Sequence, residues 1–237
     1  MKIGILWDLD GTLLDTLDDL TDAVNHGLAQ FGYPLRTRDE VRRFVGSGAR
    51  RLIQRAIPEG ADPDPVQSAF WNYYAAHCQD KTRPFAGIMQ ALAQLRHYPM
   101  AIVSNKPDAA VKTLCRQYFP DLYAMGMSDA HPRKPEPDMV LKAMADIGVD
   151  TCIYVGDSDV DVLTAKNAGV PCLSVLWGFR SRAEMEAVGG RNFCDDTSLL
   201  AGILEDMIRD LTQAPVTKGS TWTKRLPHSP RLARSWE

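Results

Sequence analysis

The stretch LWDLDGTLLDT, residues 6–16, places two carboxylates directly after a short apolar run at 2–7. The run has the composition of a buried β-strand, and Asp8 and Asp10 follow at its end. Two unit charges about 4 Å apart repel by roughly 4 kcal/mol at an effective dielectric constant of about 20. Because such a pair needs a counter-charge, the stretch predicts a functional site where the first strand ends.

Further strands are indicated along the chain. Apolar, β-rich runs recur at 100–103, 152–155 and 171–177, with a weaker one at 123–127. Segments with apolar residues at helical spacing lie between them. Strands that alternate with helices predict βαβ units, so we expect an α/β fold with a Rossmann-like parallel sheet. The strands are apolar throughout, which indicates that helices cover both faces of the sheet.

One segment interrupts the alternation, because residues 16–83 show helical patterns and no strand. Thr16 with Asp19, and Thr37 with Glu40, have the spacing of capping boxes. We therefore predict an α/β core made of residues 1–15 and 84–212, with a helical cap inserted at 16–83.

The last segment, 213–237, is polar, basic and interrupted by proline. It is predicted to be a tail without a core of its own. Trp222 and Trp236 leave open a second interpretation, in which the tail is a docking arm for a partner.

The composition argues against several classes of protein. The chain has 237 residues, is 45% hydrophobic and 24% charged, and carries a net charge of −3. This balance gives no indication of a nucleic-acid partner, and no apolar run approaches the roughly 18 residues of a membrane span. We expect a cytoplasmic monomer or homodimer with no nucleic-acid or membrane partner. Five scattered cysteines are expected to be reduced thiols: Cys78, Cys115, Cys152, Cys172 and Cys194.

Polar residues collect where the predicted strands end. Ligands of an open α/β sheet bind beyond the carboxyl ends of its strands. Carboxylates gathered there beside a lysine suit Mg²⁺, which often also takes phosphate oxygens, and the combination is typical of phosphoryl transfer. The residues are Asp8 and Asp10 after the first strand, Ser104, Asn105 and Lys106 after the second, Asp157, Asp159 and Asp161 after the run at 152–155, and Arg133 and Lys134 in a loop.

Four of these segments carry a family resemblance. DLDGTLLDT (8–16), IVSNKP (102–107), RKPEPD (133–138) and YVGDSDVD (154–161) resemble, in order, the four motifs of the haloacid dehalogenase superfamily of phosphohydrolases. The helical insert lies where that family has its small α-helical cap, and the resemblance covers residues 1–212. SNKP and VGSGARRLI resemble the phosphoglycolate phosphatase branch, although Trp7 stands where that branch usually has Phe.

The resemblance implies roles for the residues at the matching positions. Asp8 would be the nucleophile that forms an aspartyl-phosphate, and Asp10 the acid and base that handles the proton of the leaving group and of water. Ser104 would bind the phosphoryl oxygens, and Lys134 would neutralise charge on nucleophile and phosphate. Mg²⁺ would be held by Asp8, by the backbone carbonyl of Asp10 and by Asp157.

Further positions have less direct assignments. Asp161 would support the Asp157 loop or the waters of the metal, and Asn105 would join the substrate site. Arg50 in the cap is a candidate for a bidentate contact with a substrate carboxylate. The alternative for Arg50 is a solvated helix face shared with Arg51 and Arg55.

Structural interpretations remain open for several of these residues. Ser104 could be only the cap of a helix at 107–118, and Lys134 could be a solvated loop lysine. Asp159 is more typical of a helix start than of a metal ligand. The acids Asp15, Asp18 and Asp19 favour the first turn of the cap helix through its dipole.

The sequence thus predicts a Mg²⁺-dependent phosphomonoester hydrolase for a small phosphorylated metabolite, with 2-phosphoglycolate, converted to glycolate and phosphate, as the leading substrate. The alternatives within the superfamily are a nucleotidase, a pyrophosphatase, a sugar-phosphate phosphatase and a β-phosphoglucomutase. An alternative of another class is a non-catalytic module that uses its basic tail to bind a partner.

Overall fold

The computed structural model describes residues 1–213 and confirms the α/β fold with a parallel sheet. Its strands are β1 Ile3–Trp7, β2 Leu14–Asp15, β3 Arg83–Pro84, β4 Met100–Pro107, β5 Tyr123–Met127, β6 Thr151–Gly156, β7 Cys172–Val175 and β8 Asn192–Cys194. Six of them form one sheet in the order β5-β4-β1-β6-β7-β8, and every neighbouring pair is parallel.

Helices surround this sheet and form the insert. They are α1 Leu17–Gln30, α2 Arg38–Phe44, α3 Ala49–Ala56, α4 Pro63–His77, α5 Ile88–Leu95, α6 Asp108–Tyr118, α7 Asp138–Asp146, α8 Asp159–Ala168, α9 Arg182–Ala187 and α10 Leu200–Gln213, with a 3₁₀ turn at Thr197–Leu199.

The central strand β1 is covered on both faces. Ile5 and Trp7 belong to one cluster of buried apolar side chains, and Leu6 belongs to a second cluster. Successive side chains of a strand point to opposite faces, so the apolar run of β1 supplies both layers of the core. The first cluster continues into α1 and α4, which ties the helical insert to the sheet.

Two short strands mark the connections between the sheet and the helices α1–α4. Strand β2 pairs antiparallel with β3, with Leu14 opposite Pro84 and Asp15 opposite Arg83. The predicted boundaries at 15/16 and 83/84 lie at this ladder, and the division into core and cap domains stays a prediction.

Asp19 plays a part that its sequence pattern did not indicate. Thr16 makes no side-chain cap hydrogen bond, and the carboxylate of Asp15 accepts from the backbone N–H of Leu17 instead. The buried carboxylate of Asp19 accepts from the backbone N–H groups of Lys81 and Thr82 at 2.8–3.2 Å. The capping box expected at Thr16 is therefore wrong, because Asp19 is used to hold the second connection of the insert. The box at Thr37 is confirmed.

Three further features differ from the sequence pattern or lie beyond it. Strand β4 continues through the polar residues 104–106 to Pro107, past the end of its apolar run. The three-residue strand β8 was not expected, because it is too short for a periodic signal. Helix α10 includes Gln213, the last described residue, and the remainder of the predicted tail, with Trp222 and Trp236, lies outside the described residues. Within residues 1–213, no helix is both long and apolar enough to cross a membrane.

Asp19→Ala should lower the free energy of unfolding by about 2–4 kcal/mol, because the buried N–H of Thr82 and the part-buried N–H of Lys81 lose a charged acceptor. Asp18→Ala is the matched control, since Asp18 is an exposed partner of Arg38 and should cost less than about 1 kcal/mol. Urea denaturation followed by circular dichroism measures both. Equal losses for the two variants would contradict the role given to Asp19.

Candidate active site

Three neighbouring strands bring the predicted site residues to one edge of the sheet. Strand β1 ends at Trp7, and the N–H of Asp8 still donates to the carbonyl of Val155 on β6 at 2.8 Å. Asp157 follows the end of β6, and β4 carries Ser104 on the other side of β1. Because all three strands are parallel, their carboxyl ends meet, and the predicted convergence of these residues is observed.

Lys134 lies at the centre of this edge. Its Nζ is 2.8 Å from Asp8 Oδ1 and 2.8 Å from Asp161 Oδ1, and it donates to the Tyr154 hydroxyl at 3.0 Å. Burial alone would lower the pKa of Lys134, but the carboxylates of Asp161 and Asp8 outweigh it and hold that pKa well above its ordinary value. The side chain is 2% exposed, so Lys134 is a buried cation and not a solvated loop residue.

Asn105 fixes the position of Lys134. The Asn105 Oδ1 accepts from the Lys134 backbone N–H at 2.8 Å, and its Nδ2 donates to the Lys134 carbonyl at 3.0 Å. The same Nδ2 lies 3.3 Å from the carbonyl of Gly46 in the insert. The side-chain amide of Asn105, which was expected to contact substrate, therefore bonds to backbone groups and positions Lys134.

The buried carboxylates form a tight group around this lysine. Asp8, Asp157 and Asp161 each offer one oxygen, and these atoms all lie within 4.8 Å of one another. Burial raises the pKa of Asp8 to about 7 although Lys134 opposes the shift. Burial, together with Asp161 and Asp8, raises the pKa of Asp157 well above its usual range. The group carries more negative charge than Lys134 balances.

This donor set fits a divalent cation that prefers oxygen, such as Mg²⁺. Asp157 is held firmly, because its Oδ2 accepts from the Phe179 N–H at 2.6 Å. A Cβ at Gly11, where φ is +84°, or at Gly178 would lie 2.3 Å from that same oxygen, so both positions need glycine. Bare backbone thus packs against the carboxylate and fixes it.

The group contains both expected side-chain ligands, Asp8 and Asp157, together with a third carboxylate, that of Asp161. Strand β1 ends at Trp7, and the Asp10 carboxylate pairs with Lys106 rather than joining this group. A metal contact through the Asp10 backbone carbonyl stays a prediction. Asp159 begins α8 and pairs with Arg180 at 3.7 Å, as a helix-start residue would.

Asp10 has a lysine of its own. The Nζ of Lys106 lies 2.8 Å from Asp10 Oδ1 and 2.9 Å from Oδ2, with side chains 4% and 14% exposed. Burial would lower the pKa of Lys106, but the carboxylate of Asp10 outweighs it and raises that pKa above its ordinary value. Sequence reasoning gave Lys106 no role. Ser104 and Lys106 would share a face only on a strand that continues past 103, and the apolar run at 100–103 does not indicate that continuation.

Ser104 is buried and lines the cavity at this edge, and its Oγ accepts from the Lys106 N–H at 3.2 Å. Helix α6 begins at Asp108 after Pro107 and takes no cap from Ser104. The interpretation of Ser104 as only a helix cap is therefore wrong, because the strand separates it from the helix.

Arg50 lies away from this cavity. Its guanidinium pairs with Asp64 Oδ1 at 2.5 Å on the surface of the insert, with side chains 55% and 64% exposed. Arg50 is absent from the cavity lining formed by the described residues. The contact expected between Arg50 and a substrate carboxylate is not supported, and the alternative of a solvated helix face fits.

Another arginine, Arg180, joins the core to the insert. Its guanidinium donates to the carbonyls of Arg42, Arg43 and Val45 at the end of α2. Arg133 Nη1 reaches the carbonyl of Ser47 at 3.3 Å. These bonds hold the segment 42–47 over the carboxylates. Sequence reasoning could not have found them, because the acceptors are backbone carbonyls more than 80 residues away.

The chain matches the haloacid dehalogenase-like hydrolase family over residues 5–175. It belongs to that family. The hydrolase is 33% identical to phosphoglycolate phosphatase 1 of Pseudomonas aeruginosa over 191 residues, which cover 74% of this chain and 70% of that protein. It is 32% identical to the phosphoglycolate phosphatase of Agrobacterium fabrum, with 86% of this chain and 93% of that protein covered.

Solved structures agree with this membership. The hydrolase superposes on a crystal structure from Lactobacillus delbrueckii subsp. bulgaricus with a TM-score of 0.80 at 34% identity, covering 85% of this chain and 97% of that one. CbbY from Rhodobacter sphaeroides shares the fold, with a TM-score of 0.71 at 22% identity over 86% of this chain and all of that one. The predicted phosphatase of the phosphoglycolate phosphatase-like branch is therefore confirmed.

Mg²⁺ at about 100 times its Kd should stabilise the hydrolase by about 2.7 kcal/mol and raise Tm by roughly 5–10 °C. Differential scanning fluorimetry with Mg²⁺ or with EDTA measures the shift. Asp157→Asn should lose the shift, and its Tm without metal should equal or exceed that of the wild type, because one of three clustered like charges is gone. An undiminished Mg²⁺ shift in Asp157→Asn would contradict the assignment of this group.

Proposed function

We propose that the hydrolase is a Mg²⁺-dependent phosphomonoesterase that works through an aspartyl-phosphate on Asp8. The observation that carries the proposal is the pair of separate lysine contacts. Asp8 is held by Lys134 within the carboxylate group, and Asp10 is held by Lys106 on the next strand. Asp8 and Asp10 are two residues apart but have different surroundings, which suits Asp8 as the nucleophile and Asp10 as the acid and base.

In the first step the Asp8 carboxylate attacks phosphorus, and the bond from phosphorus to the leaving oxygen breaks. Asp10, protonated for this step, gives its proton to that oxygen, so the product leaves as an alcohol. Lys134 neutralises charge on Asp8 and on the phosphoryl group, and the Ser104 hydroxyl donates to a phosphoryl oxygen. In the second step a water molecule attacks phosphorus while Asp10 takes its proton, and the bond from phosphorus to the Asp8 oxygen breaks, which releases phosphate and restores the Asp8 carboxylate and the protonated Asp10.

Asp8 and Asp157 would hold a metal ion through their side chains, and Asp161 lies within reach of the same place. When bound, Mg²⁺ would supply positive charge to the transferring phosphoryl group. Asp161 is already hydrogen-bonded, since its Oδ2 accepts from the Ser158 N–H at 3.1 Å and hydroxyl at 2.6 Å. This supports the expectation that Asp161 orients the loop of Asp157 in addition to lying within reach of the ion.

The leading substrate is 2-phosphoglycolate, which the names of the Pseudomonas aeruginosa and Agrobacterium fabrum relatives support. A nucleotidase, a pyrophosphatase, a sugar-phosphate phosphatase and a β-phosphoglucomutase remain the alternatives within the family. We further propose a cytoplasmic monomer or homodimer with no nucleic-acid or membrane partner. The free state of the cysteines at 78, 115, 152, 172 and 194 supports a reducing compartment.

Release of phosphate from p-nitrophenyl phosphate tests the catalytic proposal directly. The wild type should release it only with Mg²⁺, and Asp8→Asn should lose nearly all activity because its amide is a poor nucleophile. No release by the wild type, or equal release by Asp8→Asn, would favour a non-catalytic module. A screen of phosphorylated metabolites then ranks 2-phosphoglycolate against the alternatives.

Asp10→Asn should slow turnover by about 10²–10⁴-fold, the contribution of a general acid and base. It should leave Mg²⁺ binding largely intact, because the Asp10 side chain lies with Lys106 and not within the carboxylate group. Isothermal titration with Mg²⁺ compares it with Asp157→Asn. A loss of affinity equal to that of Asp157→Asn would place the Asp10 carboxylate on the metal.

A further inference from the structure

The wall that the insert contributes to the cavity is mostly apolar. Leu20, Leu52, Phe70 and Trp71 line it. Tyr74 on α4 adds a hydroxyl to this lining. Tyr74 is 1% exposed, and its hydroxyl has no hydrogen-bond partner among the described residues. A buried hydroxyl without a partner costs free energy, so its position in a cavity lining calls for a ligand that accepts a hydrogen bond.

Lys106 approaches the same place from the core. Its Nζ lies 5.0 Å from the centroid of the Tyr74 ring. Two of its N–H groups are used by the oxygens of Asp10, and an ammonium has three to give. Burial raises the pKa of Tyr74, so its hydroxyl remains a neutral donor. A cation on β4 and a hydroxyl donor on α4 therefore both line the cavity, next to the residue proposed to protonate the leaving group.

We propose that Lys106 and Tyr74 form an anion subsite that binds a carboxylate on the leaving group of the substrate. A carboxylate oxygen has the lone pairs to accept from both donors at once. The hydrocarbon side chains of Leu20, Leu52 and Phe70 in the wall beyond the subsite cannot form hydrogen bonds with a leaving group that has many hydroxyls. The subsite therefore selects small phosphomonoesters of hydroxy acids.

This inference rests on the proposed function, and it adds the residues that would choose the substrate. The two donors come from different parts of the chain, Lys106 from β4 and Tyr74 from α4. A complete subsite thus requires the insert to lie over the sheet, as the bonds of Arg180 and Asn105 hold it. A leaving-group carboxylate would bridge the same two elements.

Tyr74→Phe tests the subsite with little change of shape. The kcat/KM for 2-phosphoglycolate is divided by that for 2-hydroxyethyl phosphate, in which a neutral hydroxymethyl group replaces the carboxylate. The wild type should prefer 2-phosphoglycolate, and Tyr74→Phe should reduce the ratio by about 10–100-fold, as expected for one hydrogen bond to a charged group. Tyr73→Phe, on the same helix but outside the cavity lining, should leave the ratio unchanged.

Folding of the variant is checked by its Tm. Because the Tyr74 hydroxyl has no protein partner, Tyr74→Phe should melt at or above the temperature of the wild type. A wild type without preference for 2-phosphoglycolate, or an unchanged ratio in Tyr74→Phe, would overturn the subsite.

Binding of glycolate separates the subsite from the proposed function. Glycolate, titrated against the Mg²⁺-loaded protein by NMR, should bind more tightly than ethylene glycol, and Tyr74→Phe should weaken it by about 10-fold or more. Glycolate binding that depends on Tyr74, without release of phosphate from any ester, would support the subsite and reject the phosphatase mechanism. Release of phosphate from both esters, with no Tyr74-dependent glycolate binding, would reject the subsite and leave the mechanism standing.

Discussion

The ammonium of Lys134, buried between the carboxylates of Asp8 and Asp161, is the interaction on which the site depends. A buried ion pair that loses one partner typically costs about 3–5 kcal/mol, because the remaining charge stays buried and uncompensated. Lys134 therefore requires its surroundings to be fixed. Asn105 fixes its backbone, and Tyr154 accepts from its Nζ while donating to the Val103 carbonyl at 3.1 Å. Residues of β4, β6 and α8, together with Asp8 directly after β1, thus converge on a single loop lysine.

The same constraint explains why the pair Asp8 and Asp10 is tolerable. The two acids do not share a counter-charge, because Lys134 takes one and Lys106 takes the other. Lys106 belongs to β4 and Lys134 to the loop before α7, so the two acids are drawn to different sides of the cavity. The excess negative charge that remains, on Asp157 and Asp161 beside Asp8, is where the donor set fits a divalent cation.

The helical insert completes the cavity and is joined to the core by polar contacts with backbone. Arg180 gathers the carbonyls at the end of α2, and Asn105 meets Gly46 while it holds Lys134. A change in the position of the insert would therefore shift Asn105 and, through it, Lys134, which contacts Asp8. Closure of a cap over a phosphoryl group excludes water and strengthens the electrostatic contacts within. Asn105 therefore links the insert to Lys134, and Lys134 contacts Asp8.

By itself, the sequence determined the parallel sheet, the helical insert and the residues at the strand ends, because apolar runs of β-strand length and polar residues after them are local signals. It could not show that β4 continues through its polar residues, so the pairing of Lys106 with Asp10 was decided only by the tertiary structure. The same holds for Asp161 joining the carboxylate group, for Arg50 lying at the surface and for Tyr74 lining the cavity. Each of these positions depends on how separate segments of the chain pack together, and the local spacing of residues does not determine that packing.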